Sequence, residues 1–324
     1  MSIVLLKTAG ELEGAAEIAL AAHRKLAEAY PWIPRRRADE YIGRISWIRD
    51  NGEVFGYIED GILKGFMGYF VLDNFRNEGP GMYTPDWCAG TAGDTGGYTA
   101  VRSLLRRILA ENSGKKIPIH GISVSDAEKS VREILGLTGY GYIVLDAGRP
   151  SAELLNCLKV PPEKPGRLIR RAEHRDAESL AMMAAELRDH IGASPVLMPD
   201  PRSRTAGEFE SWMNENEAVA FVAFEETRPV GYIMAQEPQF DVTFTVHSSR
   251  TLAINGMYVV PSARKKGVGS ALLRAMAQAA ATRGKDLVSV DCETLNPEAY
   301  AFWTAYFKPL SWSMQRRIAV SPSS

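Results

Sequence analysis

Residues 257–270, in the C-terminal half of the sequence, combine the residue types that bind a phosphate group. An apolar strand pattern ends at Pro261, three basic residues follow (Arg264, Lys265 and Lys266), and a turn with two glycines then leads into an alanine-rich helix pattern. The first turn of a helix leaves backbone N–H groups without partners and carries the positive end of the helix dipole. Glycines let a ligand approach these amides closely, because they carry no side chain. The segment therefore predicts an anion cradle suited to a phosphate or pyrophosphate.

The same composition would also suit a solvated basic turn whose glycines serve only to end one element and begin the next. Two other nucleotide-binding motifs are excluded. The sequence has no G-x-x-x-x-G-K-[ST], and Gly267-x-Gly269 is not followed by the third glycine of G-x-G-x-x-G.

The segment resembles the acetyl-CoA-binding motif of the GNAT N-acetyltransferases. Arg264-x-x-Gly267-x-Gly269 is similar to that family's Gln/Arg-x-x-Gly-x-Gly/Ala pattern, which lies at the start of a helix after a strand. A second element, Asn296-Pro-Glu-Ala-Tyr-Ala-Phe-Trp303, resembles the family's N-x-x-A-x-x-[LF]-[YW] helix, which flanks the pantetheine arm. The resemblance covers about residues 165–320, and it implies acetyl-CoA as co-substrate and an amine as acceptor.

The resemblance implies a binding role for each matching position. Backbone groups of Met257, Tyr258 and Val259 would bind the pantetheine amides, like an added strand. Asn296 would hydrogen-bond the cofactor arm. The pyrophosphate would be surrounded by Arg264, Lys265, Lys266, Gly267, Val268, Gly269 and Ser270.

The catalytic groups depart from the family pattern. The family's frequent general-acid tyrosine falls on Trp303, and an indole cannot transfer a proton at a useful pKa. Tyr300 and Tyr306 are the candidate acids, although a tyrosine in such a position is more often a core or rim aromatic. Glu293 and its neighbour Asp291, at the end of a predicted strand, are the nearest carboxylates for a base, although either could instead be solvated or cap the next helix.

Three pairs of matching segments, in the same order in both halves, indicate an internal duplication. They are Ile58–Phe66 with Phe224–Tyr232, Gly81–Tyr83 with Gly256–Tyr258, and Leu104–Arg106 with Leu272–Arg274. Each half contains a hairpin, which implies antiparallel strands, and a strand–helix–strand step, which implies a parallel pair. We therefore predict an α/β fold with a mixed sheet covered by helices, built as two tandem GNAT-like domains at 1–150 and 165–320.

The second half allows individual elements to be predicted from its periodicity and turn residues. The predicted strands lie near 168–172, 218–225, 229–236, 251–260, 286–293 and 310–318. The predicted helices lie near 176–190, 205–215, 267–283 and 297–306.

The first half keeps the glycines of the cradle but not its charge. No lysine or arginine occurs from Met82 to Ala100, and Asp86 and Asp94 add negative charge. We therefore expect the first domain to be a degenerate copy that does not bind acetyl-CoA. Its role would be structural, or to wall off the acceptor pocket.

Composition limits the remaining function classes. With 24% charged residues, 45% hydrophobic residues and a net charge of −1, the chain is neither disordered nor a dedicated duplex-DNA binder. Its three cysteines and five histidines are dispersed and show no metal-ligand spacing, so no metal cofactor is expected. No signal peptide or membrane-spanning run is visible, which places the protein in the cytoplasm. A small-molecule amine is the expected partner rather than nucleic acid or a membrane, and the sequence indicates no oligomeric state.

Three hypotheses follow. The first is an N-acetyltransferase that works by direct attack of the amine on the thioester; acyl transfer through Cys292 is a minor variant, because no histidine lies nearby in the sequence. The second is a CoA-sensing or regulatory protein that has lost catalysis. The third is a purely structural double domain.

Overall fold

The structure is a computed structural model that describes residues 1–93, 97–113, 115, 117–159, 165–215, 218–239 and 243–318. The chain folds into two compact units. The first contains residues 1–145 together with the chain from Leu310 onward, and the second contains residues 146–309. Within the described ranges, no helix has both the length and the apolar character needed to cross a bilayer.

The elements of the first unit alternate between helices and strands. They are β1 (Ser2–Leu5), α1 (Ala9–Ala29), α2 (Ala38–Asn51), β2 (Gly52–Glu59), β3 (Ile62–Leu72), β4 (Gly81–Thr84), β5 (Ala89–Thr91), α3 (Gly97–Asn112), β6 (Ile119–Ser125), α4 (Lys129–Leu137) and β7 (Gly141–Pro150), whose last residues belong to the second unit.

The second unit continues with the same kinds of element. They are α5 (Ser151–Cys157), β8 (Arg167–Arg171), α6 (Ala177–Gly192), α7 (Ala206–Met213), β9 (Val219–Glu225), β10 (Arg228–Gln236), β11 (Thr251–Val259), α8 (Val268–Thr282), β12 (Leu287–Glu293), α9 (Pro297–Tyr306) and β13 (Lys308–Arg317). Short 3₁₀ turns lie at His174–Asp176, Phe244–Val246 and Pro261–Ala263. These bounds confirm the strands and helices predicted for this half to within two residues.

The sheet of the first unit has the strand order β1-β2-β3-β4-β6-β13, with β5 paired to β3. The β4–β6 pair is parallel, and the other registered pairs of this sheet are antiparallel. Residues 311–317 of β13 pair with residues 119–125 of β6. Residues 310–317 therefore lie in the first unit and not with residues 165–309, a difference from the predicted domain ranges. The difference arises because β13 forms an antiparallel pair with β6, a strand of the first unit.

The second unit has the strand order β12-β11-β10-β9-β8. The β11–β12 pair is parallel, and the β8–β9, β9–β10 and β10–β11 pairs are antiparallel. Both units are thus mixed sheets with helices, which confirms the predicted α/β fold class.

Both units contain the same hairpin, at the predicted offset of 166 residues. β2 and β3 are joined by Asp60 and Gly61, and β9 and β10 are joined by residues 226–227. The inner strand of each hairpin also bulges at the residue just before a glycine, Gly65 in the first unit and Gly231 in the second. A shared bulge at equivalent positions supports the duplication, because bulges are specific features of a strand pair.

One of the proposed repeat matches is wrong. Gly81–Tyr83 pairs with the last residues of β3, whereas Gly256–Tyr258 pairs with the middle of β10. The register instead makes Ala89–Thr91 the counterpart of Met257–Val259, because these segments pair with the three residues of β3 and of β10 that directly follow the equivalent bulges. The shared tripeptide misled the sequence comparison, since strand register depends on the partner strand.

The core of the first unit contains a fully buried histidine. His120 on β6 places Nδ1 2.8 Å from the hydroxyl oxygen of Tyr140 and Nε2 3.2 Å from Oγ1 of Thr84. Burial lowers the pKa of His120 to about 3. The imidazole is therefore neutral in the folded protein at physiological pH.

Candidate cofactor and acceptor site

The candidate site begins where two strands of the second unit separate. β11 and β12 pair only over Thr251–Ile254 and Leu287–Val290, yet β11 continues to Val259 and β12 to Glu293. A bulge at Asn255, where β11 shifts register against β10, marks the point of separation. Bulges bend a strand and end its pairing, so the sheet opens into a cleft at this edge. Sequence reasoning missed Asn255, because a bulge depends on the register of two strands.

The backbone of β11 beyond the bulge presents alternate residues to the cleft. The carbonyl of Tyr258 points to β10, since it lies 2.9 Å from the position a Cβ would take on Gly231. The carbonyl of Val259 points the other way and accepts a hydrogen bond from Nε of Arg264 at 3.0 Å. Successive residues of a strand direct their backbone groups to opposite sides, so Met257 and Val259 face the cleft. The backbone of Tyr258 does not, contrary to the role that the family resemblance implied.

The turn before α8 has the backbone conformation of an anion-binding nest. Lys265 and Gly267 both have positive φ, +58° and +81°. Left-handed residues that alternate with right-handed ones direct consecutive N–H groups to one side, where they form a concavity for an anion. The N–H groups of Val268 and Gly269 belong to the first turn of α8 and add to this concavity.

The two glycines of this turn serve different purposes from those predicted. A Cβ at Gly267 would meet no atom within 4 Å, so glycine is needed there for its φ and not for space. A Cβ at Gly269 would lie 3.0 Å from Cε of Met257 and 3.3 Å from the ring of Phe302. Gly269 therefore lets α8 pack closely against β11 and α9, and its missing side chain makes room for protein rather than for ligand.

Arg264 stabilises the turn before α8. Besides the carbonyl of Val259, its guanidinium binds Oε2 of Glu298 on α9 at 2.6 Å and lies over the ring of Tyr258 at 5.5 Å. Its charge is thus already compensated by a carboxylate, unlike the phosphate-binding cation that the sequence suggested. The exposed cations at the turn are Lys265 and Lys266.

Three further predicted residues have local roles in the turn and the following helix. Lys266 donates from Nζ to the carbonyl of Ser262 at 2.7 Å. Ser270 donates from Oγ to the carbonyl of Gly267 at 3.1 Å, and Val268 is buried under the helix start. These contacts stabilise the turn, while the backbone N–H groups remain the groups directed at the concavity.

Sequence reasoning missed Arg167 at the start of β8, whose side chain hydrogen-bonds to the backbone of the turn. Its side chain is 10% exposed, and it donates to the carbonyl of Lys266 and to Oε1 of Glu225, both at 2.9 Å. The Lys266 carbonyl belongs to the peptide that precedes Gly267. Arg167 therefore sets the orientation of the peptide at the base of the concavity. No local motif signals this role, because 99 residues separate the two partners.

Replacing Arg167 with methionine is expected to raise the KM for acetyl-CoA, the co-substrate that the family resemblance implies, roughly 10- to 100-fold, because a hydrogen bond from a charged donor contributes ~1.5–3 kcal/mol. The kcat should change little, since Arg167 lies behind the turn and not at the cleft. Steady-state kinetics checks this, with Arg171→Met, an exposed arginine on the same strand, as the matched control. Equal KM values for the two variants would show that Arg167 does not position the turn.

The residues predicted on α9 lie in two environments. Asn296 is buried and caps the helix: its Oδ1 accepts from the N–H of Ala299 at 3.1 Å. That oxygen is used by the fold, so the role predicted for Asn296 toward the cofactor arm is limited to its amide nitrogen. Trp303 is also buried and packs edge-on against Phe302 and Phe307.

The catalytic candidates lie in the second unit, at the end of β12 and on the helix α9 that follows it. Tyr306 is half-buried, and its ring contacts Phe302 at 5.2 Å between centroids, on the face of α9 that packs near Gly269. Tyr300 is half-buried one turn after Asn296. Glu293 is half-buried at the end of β12, beyond the segment that pairs with β11.

Cys292 is poorly suited to nucleophilic attack. Burial, together with the nearby carboxylates of Asp291, Asp146 and Glu293, raises its pKa to about 12. The reactive form of a cysteine is the thiolate, so the thiol stays protonated at physiological pH.

In the first unit, the segment that corresponds to residues 265–270 lies within helix α3, which begins at Gly97. Thr91 and Val259 occupy equivalent strand positions, and Leu104 and Leu272 lie in the helices that follow; both pairs differ by 168 residues. At that offset Gly269 corresponds to Val101, a buried residue within α3. The first unit therefore has a side chain where the second has none. Asp94, which contributed to the predicted repulsion of phosphate, lies outside the described residues.

Comparisons with known proteins agree with this geometry. A sequence model of the acetyltransferase (GNAT) family matches residues 181–307. Among solved structures, a GCN5-related N-acetyltransferase from Sphaerobacter thermophilus is 15% identical, with a TM-score of 0.55 over 97% of this chain and 95% of that one. No curated protein matches the sequence.

Two other solved structures are similar over nearly the whole chain. One is the glucosamine N-acetyltransferase region of a fungal multi-domain GH3 β-N-acetylglucosaminidase, with 11% identity and a TM-score of 0.54 over 97% of this chain and 38% of that one. The other is a tandem GNAT protein from the clavulanic acid biosynthesis pathway, with 14% identity and a TM-score of 0.48 over 100% of this chain and 99% of that one.

The family match and the fold together support the class of the acyl-CoA N-acyltransferases. Residues 181–307 are a domain of the acetyltransferase (GNAT) family, and the fold of the whole chain is that of the GCN5-related N-acetyltransferases.

Proposed function

We propose that the second unit is an acetyl-CoA-dependent N-acetyltransferase, which transfers an acetyl group to an amine by direct attack. One observation carries this proposal: β11 separates from β12 after four paired residues and then runs into the left-handed turn at the start of α8. A cleft with cleft-facing backbone groups that ends at an anion-binding turn suits an extended amide chain joined to a pyrophosphate.

The residues present fit CoA. The backbone groups of Met257 and Val259 would pair with the amides of the pantetheine arm, and the N–H groups at 267–269 would bind the pyrophosphate. The exposed charges of Lys265 and Lys266 add attraction at the mouth of the turn. When bound, acetyl-CoA supplies an acetyl group activated as a thioester.

The chain's own groups would handle the protons. Amines are largely protonated at neutral pH, so the acceptor nitrogen must lose a proton before it can attack. Glu293 lies beyond the paired segment of β12, where its carboxylate would take this proton directly or through water. The amine attacks the thioester carbonyl, an amide bond forms, and the C–S bond breaks to release the CoA thiolate, which the acid would protonate. Tyr306 is the stronger candidate acid, because it shares a face of α9 with Phe302; Tyr300 is the alternative.

The test is an assay for free thiol released from acetyl-CoA over a panel of primary amines, combined with calorimetric titration of CoA. Amine-dependent thiol release supports the enzyme. Saturable CoA binding without release for any amine would instead favour a CoA-sensing protein. That alternative rests on Trp303, which is buried where the family has its tyrosine.

We expect one molecule of CoA to bind per chain, in the second unit. Titration must use the full chain, because β13 belongs to the sheet of the first unit and separated halves would lose it. The double variant Lys265→Glu/Lys266→Glu should weaken binding roughly tenfold or more, since each reversal replaces a salt-screened attraction of ~0.5 kcal/mol with a repulsion.

The control variant Lys159→Glu/Lys308→Glu has the same net charge but changes exposed lysines away from the turn. It should bind CoA like the wild type. Two equivalents of CoA per chain, or equal weakening by both double variants, would contradict the assignment of a single site at this turn.

A further inference from the structure

Three polar residues of β12 lie on one face of the sheet and lead into the cleft. They are Ser289, Asp291 and Glu293, which occupy every second position of the strand. Their side chains therefore project from the same face. Ser289 lies opposite Ala253 in the paired part of the strand, and the two carboxylates lie beyond it. The row therefore runs from the interior of the sheet to the open edge.

The hydroxyl of Ser289 is buried and lacks a partner. The residue is 3% exposed, and its Oγ has no hydrogen bond to any part of the chain that the structure describes. Nearly all buried polar groups in proteins are satisfied, because leaving one unpaired costs ~1–3 kcal/mol. A hydroxyl kept at this cost points to a partner outside the part of the chain that the structure describes.

This face of the sheet is the one covered by α6 and α7. Ser289, Ala253 and Gln236 form a row across three strands, and Gln236 accepts a hydrogen bond from Nε1 of Trp212 on α7. The opposite face is covered by α8, since a Cβ on Gly231 would lie 3.3 Å from Leu272. Because α8 begins at the anion-binding turn, the row of Ser289 is separated from that helix by the sheet.

The equivalent face of the first unit is filled by aromatic side chains. The row that corresponds to Gln236, Ala253 and Ser289 is Phe70, Tyr83 and Gly121. The ring of Phe75 covers Gly121 so closely that a Cβ there would lie 2.4 Å from it. In the second unit, a glutamine, an alanine and a serine replace these residues. At the first two positions of the row, a glutamine and an alanine thus replace aromatic rings, and at the third a serine replaces a glycine.

The charge at the open end of this row is negative. Asp291 and Glu293 follow Ser289 on β12, and the carboxylate of Asp146 lies near enough to act on the same cysteine, Cys292. Such a cluster attracts cations and repels phosphates and carboxylates.

We propose that this row is the acceptor subsite, and that the acceptor is a cationic amine that carries a hydroxyl group about 7 Å from its nitrogen. The ammonium group forms an ion pair with the carboxylate of Asp291. The hydroxyl group hydrogen-bonds to Ser289, which lies two positions earlier on β12 and therefore about 7 Å away. This inference rests on the proposed acetyltransferase function and adds the class of substrate to it.

The test compares two amines of similar length, 5-aminopentan-1-ol and hexylamine, by thiol release from acetyl-CoA. The wild-type protein should show a higher kcat/KM for the amino alcohol. In Ser289→Ala the ratio of the two kcat/KM values should fall roughly 5- to 10-fold, as expected for one neutral hydrogen bond. Ser194→Ala, an exposed serine of the same unit, should leave the ratio unchanged.

Two further measurements separate a role in binding from a role in folding. The Tm of Ser289→Ala should equal or exceed that of the wild type, because the variant removes an unsatisfied buried group. Asp291→Asn should raise the KM for both amines, since it removes attraction for the ammonium group that they share. A drop in Tm for Ser289→Ala with no change in the ratio would make the serine purely structural and overturn the subsite.

The outcomes distinguish this inference from the proposed function. Equal use of the two amines by the wild type, or a preference that survives in Ser289→Ala, overturns the subsite and leaves the acetyltransferase in place. Thiol release with neither these amines nor any other primary amine overturns both.

Discussion

Replacing Gly267 with valine is expected to weaken CoA binding roughly 10- to 30-fold. Gly267 has a φ of +81°, and an L-residue in this left-handed region costs ~1–2 kcal/mol, with branched side chains at the upper end. The variant would relieve this cost by rotating the peptide, which turns the N–H groups at 267–269 away from the concavity. Calorimetric titration of the full chain with CoA measures the loss.

Gly267→Asn is the matched control for this prediction. Asparagine tolerates the left-handed region better than other non-glycine residues, and a Cβ at this position meets no atom within 4 Å. The asparagine variant should therefore bind CoA within a few-fold of the wild type. If the two variants lose affinity equally, the cause is the added side chain and not the backbone conformation, and the nest is not the binding element.

The second large effect concerns the stability of the first unit in acid. The pKa of His120 is about 3 in the folded protein, against an ordinary value of 6.5. Between these values the unfolded chain binds a proton that the folded chain does not, so the free energy of unfolding falls as the pH is lowered through this window. The slope is about 1.4 kcal/mol per pH unit well below pH 6.5.

Denaturant unfolding at pH 7 and pH 5 checks this expectation. The wild type should lose about 2 kcal/mol more than His120→Gln over this interval, because glutamine does not titrate. His23 acts in the same direction, since burial lowers its pKa as well, but it is present in both proteins and cancels in the comparison. The lowered pKa of Asp176 changes the free energy of unfolding only near and below pH 4, outside the interval compared. Equal losses for the two proteins would show that His120 does not set the acid stability.

The local elements were predictable from the sequence because their signals are local. The strands and helices of the second half lie within two residues of their predicted bounds, and each is marked by its own periodicity or by an adjacent turn. The position of the turn before α8 was also predictable. The glycine at 267, the basic residues before it and the alanine-rich helix after it are neighbours in the chain, whereas the left-handed φ of Gly267 was seen only in the structure.

The roles of individual side chains at the site were less predictable. Arg264 was expected to meet phosphate, but it is bound to Val259 and Glu298. Gly269 was expected to make room for a ligand, but it makes room for Phe302 and Met257. In each case the side chain or the space is used by a residue that is distant in the sequence, and residue type alone does not reveal which partner is present.

Sequence alone thus determined the α/β class, the duplication and the position of the turn that we propose binds CoA. Only the tertiary structure decided the bulge at Asn255, the support of the turn by Arg167, the unpaired hydroxyl of Ser289 and the pairing of β13 with β6. The physical reason is that backbone conformation and helix capping depend on neighbours in the chain, whereas register, burial and hydrogen-bond satisfaction depend on which segments pack together.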